Sequence, residues 1–79
     1  MTLKIFITVN AELTSVDSIC DSLNQFKEVK EIFKMKAGDF EIIAVVEIQD
    51  LELYRLFVDR VAEISGITDF ESFITVSST

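Results

Sequence analysis

Residues 40–48 read Phe-Glu-Ile-Ile-Ala-Val-Val-Glu-Ile, and this stretch decides the fold. From Ile42 to Val46 every position is apolar. Successive side chains of a strand point to opposite faces, so a run without polar alternation reads as a strand covered on both sides. It follows Lys36-Ala37-Gly38-Asp39, the clearest turn signal in the chain. Upstream of that turn, residues 29–35 set Val29, Ile32, Phe33 and Met35 among charges and read as a partner strand. The two make a hairpin.

Outward from the hairpin, each flank carries a helix and then a strand. On the N-terminal side, Val16, Ile19, Cys20, Leu23 and Phe26 recur at three- and four-residue spacing, which places them on one helical face. Thr14 is the expected cap, and Asp17 puts negative charge in the first turn. Residues 3–9 (LKIFITV) are alternating and β-branched, a first strand. On the C-terminal side, Asp50 caps a second helix with Leu51, Tyr54, Phe57, Val58, Val61 and Ile64 as its apolar stripe. Ser65-Gly66 is expected to end that helix, residues 70–76 form the last strand, and Ser77-Ser78-Thr79 is a frayed tail.

The order is β-α-β-β-α-β, without linker or repeat, which is the α+β, ferredoxin-like arrangement. Crossovers of this kind are right-handed, so both helices lie on one face of a four-stranded antiparallel sheet. The other face is then bare, yet it too carries apolar residues. If Ile5, Ile7 and Val9 face the helices, Phe6 does not, and Ile43 or its neighbours and Phe73 join it on the open side; both alternate sets of the third strand, Ile42/Ala44/Val46 and Ile43/Val45, are apolar. Monomers avoid contiguous patches of that kind, so the chain is expected to dimerise sheet to sheet, in the manner of a dimeric α+β barrel.

Composition points the same way. Seventy-nine residues make a single domain, residues 1–79, and one of marginal stability alone. One cysteine, Cys20, gives no internal disulfide, and without histidine no ordinary zinc site forms from one chain. Self-association remains, and an apolar fraction of 49% with seven Phe supports it. A formal charge of −7 opposes binding to nucleic acid. Lys27, Lys30, Lys34 and Lys36 cluster within ten positions, where the simplest role is to discourage edge pairing. No apolar run approaches the ~20 residues of a membrane span, and the start shows no signal-peptide pattern. The expectation is a cytoplasmic protein with Cys20 reduced, buried and unreactive.

Three segments together resemble a known family: residues 36–42 (KAGDFEI), the helix start Asp50-Leu51-Glu52-Leu53, and Ile64-Ser65-Gly66-Ile67 before the last strand. Their order and spacing are similar to the effector-binding (RAM-type) domain of the Lrp/AsnC transcription regulators, over residues 3–76. Phe40 and Glu41 stand where the family pattern has Tyr and Asp, Ser65 replaces a proline, and Phe70-Glu71-Ser72 occupies a Thr-x-Thr position. The resemblance implies dimers through the sheets, larger rings such as octamers or decamers, and a small, typically amino-acid, effector. It also implies a stand-alone version without the DNA-binding domain, acting through a full-length homologous regulator.

A zwitterion needs unpaired backbone N–H groups for its carboxylate and acidic groups for its ammonium. A turn at Gly38 supplies the first, Asp39 and Glu41 the second, with Phe40 and Ser72 completing the candidate ligand site. The same Gly38-Asp39 pair is equally a good hairpin turn, and both readings stand at this point. Catalysis is not expected, because neither His nor Trp is present and Tyr54 falls in the apolar stripe. No cofactor is expected. The alternatives to an effector-binding and oligomerisation module are an adaptor oligomer that binds a protein without ligand and, behind it, a dimeric α+β barrel enzyme.

Overall fold

The first strand, β1 (Leu3–Ala11), lies inside the sheet, where its β-branched residues pair on both sides. The computed structural model describes residues 2–76, so the expected tail at 77–79 lies outside the described residues. With β2 (Val29–Lys34), β3 (Ile42–Ile48) and β4 (Ile67–Ile74), the sheet order is β2-β3-β1-β4, antiparallel throughout. α1 (Val16–Asn24) and α2 (Leu51–Ala62) complete β-α-β-β-α-β, the ferredoxin-like fold expected from sequence.

Register assigns every strand residue to a face. Ile5, Ile7 and Val9 pair with Val46, Ala44 and Ile42 of β3, and all six are fully buried. Ile19 and Leu23 of α1, with Phe57 and Val61 of α2, close over them to form the core. The opposite face has no such cover. Phe6 pairs with Val45 on one side and Phe73 on the other, and Phe33 pairs with Ile43. Phe33 and Phe73 are 49% and 51% exposed, and Phe6 is 36% exposed. An apolar row therefore crosses the open side, and Phe33 extends it onto β2.

Several local expectations are corrected. α1 is preceded by a 3-10 turn, Leu13–Ser15, and Thr14 sits inside it rather than capping the helix. Backbone bonds satisfy that end instead: Ser15 N–H donates to the Glu12 carbonyl and Val16 N–H to the Leu13 carbonyl. Asp50 does cap α2, accepting from Leu53 N–H at 2.9 Å. Leu51, however, is 59% exposed, so the stripe of α2 begins at Tyr54. α2 ends at Glu63, where the N–H groups of Glu63 and Ile64 return to the carbonyls of Arg60 and Val61.

Gly66 is therefore not the helix cap. It lies beyond, at φ +97°, in the left-handed region that favours glycine. A Cβ there would stand 2.7 Å from Ser15 Cβ and 2.8 Å from Ser15 Oγ, so the loop into β4 passes against the start of α1 with no room for a side chain. That loop sets the height at which β4 begins, and the strand starts at Ile67, three residues before expectation. Cys20 is half-buried; desolvation pushes its thiol above its ordinary value, partly opposed by the nearby Lys34 ammonium. No helix of the described residues is long and apolar enough to cross a membrane.

Candidate functional site

The β2–β3 connection is a seven-residue loop, 35–41, closed by Met35 N–H donating to the Glu41 carbonyl at 2.8 Å. Glu41 N–H donates to the Val9 carbonyl at 2.9 Å, which ties the loop to the end of β1. Gly38 forms the exposed tip at φ +125°, with nothing within 4 Å of where a Cβ would stand. Beside this loop lies a cavity of about 170 Å³. Asp39 and Phe40 form one wall, and Thr8 and Asn10 of β1 meet Asp69, Glu71 and Phe73 of β4 to form the other, with Phe70 adjoining.

Pairing explains why these residues converge. Thr8 lies opposite Glu71 and Asn10 opposite Asp69, so all four share the open face of the sheet. The ladder shifts register between Asn10 and Ala11, which bends the strand where the cavity opens. No Lys or Arg lines the space. Among the described residues, the carboxylates of Asp39, Asp69 and Glu71 make no hydrogen bond or ion pair. No group of His, Cys, Asp and Glu among the described residues is placed to hold a metal ion.

Of the five candidate ligand residues, Asp39 and Phe40 line the cavity. Gly38 and Glu41 flank them in the loop, and both backbone groups of Glu41 are committed to the hairpin and to β1. Ser72 is placed elsewhere. It pairs with the buried Ile7 and so belongs to the helix-covered face, opposite to Glu71 and Phe73. The sequence reading passed over Thr8, Asn10, Asp69 and Glu71. Their even–odd positions were available, but the register joining residues 8 and 71 is set by the tertiary fold.

A second cleft, about 490 Å³, lies between α2 and the end of β3, with Lys27, Lys30, Gln49, Leu53 and Arg60 among its walls. Arg60 is already engaged there. Its Nη1 and Nη2 donate to Glu28 at 3.1 and 3.4 Å, and its guanidinium lies 4.5 Å over the Phe26 ring. Phe26 in turn meets Phe57 edge-on, with ring centroids 5.5 Å apart. Desolvation, the largest single influence, opposes ionisation of Glu28, but the Arg60 hydrogen bond, a backbone hydrogen bond and the charges of Arg60 and Lys27 together outweigh it and hold the carboxyl below its ordinary value. This arrangement pins α2 to the start of β2.

A four-stranded antiparallel sheet roofed on one face by two helices belongs to the widespread ferredoxin-like class of α+β folds. Residues 4–79 match the model of the Lrp/AsnC ligand binding domain, and the chain belongs to that family. It is 34% identical over 73 residues to the uncharacterized HTH-type transcriptional regulator PH0140 of Pyrococcus horikoshii. That match covers 91% of this chain and 46% of the regulator, so the chain spans about half its curated relative. Among solved structures, TTHA0845 from Thermus thermophilus superposes with a TM-score of 0.86 at 15% identity, covering 98% of this chain and 96% of that one. The transcriptional regulator NMB0573 of Neisseria meningitidis, solved as an L-Met complex, gives 0.85 at 20% identity over 96% of this chain and 51% of its own. At such identities these two likenesses speak for the fold.

Proposed function

We propose that this chain is an effector-binding and oligomerisation module that takes a small, amino-acid-like ligand and catalyses nothing. The observation that carries the reading is the match of a ligand-binding-domain model to residues 4–79. The loop cavity supports the location of the site: Asp39, Asp69 and Glu71 offer the ammonium its partners, and the open Gly38 turn offers backbone N–H groups to a carboxylate. Two copies pack through the open face, where Phe6, Phe33 and Phe73 exchange water for the partner sheet. Further contacts build rings of the octamer or decamer kind. The relationship to HTH-type regulators makes transcription control, in the cytoplasm and through a full-length homologue, the role such a module would serve.

Light scattering combined with a thermal-shift screen of the common amino acids tests this. A ligand bound only by the native state raises the melting temperature by mass action, and at a hundred times Kd the gain is about 2.7 kcal/mol. The expected result is an assembly of at least two chains and a shift with at least one ligand. A monomer at high concentration with a flat screen at millimolar ligand would refute the proposal.

A further inference from the structure

We infer that pairing of two copies through the open face is held back by like charge and tightens as salt is added. The inference rests on the reading of that face as the surface where two copies pack, and adds what regulates the contact. Strand register shows where the charges of the face stand. Glu31 of β2 ends the row Val45–Phe6–Phe73, and Glu71 of β4 ends the row Phe33–Ile43–Thr8, so a carboxylate closes each row at opposite edges of the sheet. Glu47, opposite Lys4, and Asp69, opposite Asn10, mark the two ends of the face along the strands. All four carboxylates are exposed, and none is ion-paired among the described residues. Lys4 is the one cation that the register places with them.

Other cations are engaged away from this face. Lys34 lies opposite the buried Ile42, on the helix side, and binds Asp17 of α1. Lys30, the extra residue of an irregularity in β2, donates to the Lys27 carbonyl at 3.3 Å. Arg60 and Arg55 bind Glu28 and Glu52. Two copies packed through one surface present the same patch to each other, so each acidic margin meets a margin of its own sign. Burial of Phe6, Phe33 and Phe73 favours the contact, and juxtaposed carboxylates oppose it. Salt screens charges at exposed margins. The pairing therefore responds to salt in the sense opposite to an interface held by ion pairs.

Sedimentation equilibrium of the full chain, without ligand, at about 0.01 M and about 0.15 M sodium chloride tests this, because the screening length falls from ~30 Å to ~8 Å between them. The dissociation constant of the pair should fall on the order of tenfold as salt rises. In the double variant Glu31→Gln/Glu71→Gln, both at exposed positions, pairing should be tighter at low salt and nearly indifferent to added salt, with circular dichroism unchanged. Lys4→Gln should weaken pairing at low salt. A pair that ignores salt, or loosens as it is added, would overturn the inference and leave the packing of two copies in place. Salt tightening retained in full by the double variant would also overturn it, since the apolar rows alone would then account for the effect. A single chain at every salt concentration would remove both readings.

Discussion

Gly66→Ala tests how closely the loop into β4 is held against α1. Two costs combine at this position. The backbone sits at φ +97°, which a side chain resists by about 1–3 kcal/mol. The new methyl would also meet Ser15 Cβ at 2.7 Å and Oγ at 2.8 Å; the hydroxyl can rotate but the Cβ is fixed to the backbone, which adds about 1–3 kcal/mol of overpacking. Gly38→Ala is the matched control, since φ is +125° there but the surroundings are open. Urea denaturation at one fixed protein concentration should therefore show Gly38→Ala losing only the conformational part, and Gly66→Ala clearly more. In the double variant Ser15→Gly/Gly66→Ala, part of the difference should return, because the clash goes and the backbone cost stays. Equal losses for the two single glycine variants, or no recovery in the double variant, would show that the close passage at Ser15 is not felt.

Four other outcomes follow from the geometry. Phe57→Ala empties the centre of the core and should cost about 3–5 kcal/mol in chemical denaturation. Asp50→Ala removes the cap on Leu53 N–H and should cost about 1 kcal/mol by the same assay, with helix content lowered in circular dichroism. Glu28 ionises more readily in the fold than in the unfolded chain, so its contribution is complete above the ordinary glutamate value and fades as pH falls through the lower folded one. Arg60→Gln should flatten that acid limb in melts recorded across the range, and an unchanged limb would refute the assignment. Phe6→Lys places a charge in the middle of the Val45–Phe6–Phe73 row and should lower the mass seen by light scattering towards that of one chain.

The architecture was legible in the sequence because two signals agreed at each element. The apolar run Ile42–Val46 demanded cover on both sides, and the helical stripes at Ile19/Leu23 and Phe57/Val61 supplied it on one. Boundaries were read less well, since they are settled by hydrogen bonds that composition does not encode. The hairpin strands stop at Lys34 and resume at Ile42, inside the limits of the apolar pattern, and backbone bonds of a 3-10 turn replace the hydroxyl cap expected of Thr14. Half of the candidate site depends on a register. Asp39 and Phe40 are local to a visible turn, whereas Asp69 and Glu71 reach the same cavity only because β4 pairs with β1 at Thr8 and Asn10. A shift of one residue there would exchange Glu71 for Ser72, and sequence alone left that choice open. Gly66 shows the same limit: a glycine before the last strand is visible in the sequence, but its reason is the distant Ser15.

The interior position of β1 has a consequence for biogenesis. Its outer neighbour, β4, follows the other described strands in sequence, and Ile5 pairs with Ile74 only once β4 has emerged. Translation therefore delivers the helices and the β1–β3 pair first and leaves an unzipped margin beside β1 until β4 emerges. The cavity beside the hairpin straddles that same seam, so its walls meet only after β4 has paired with β1.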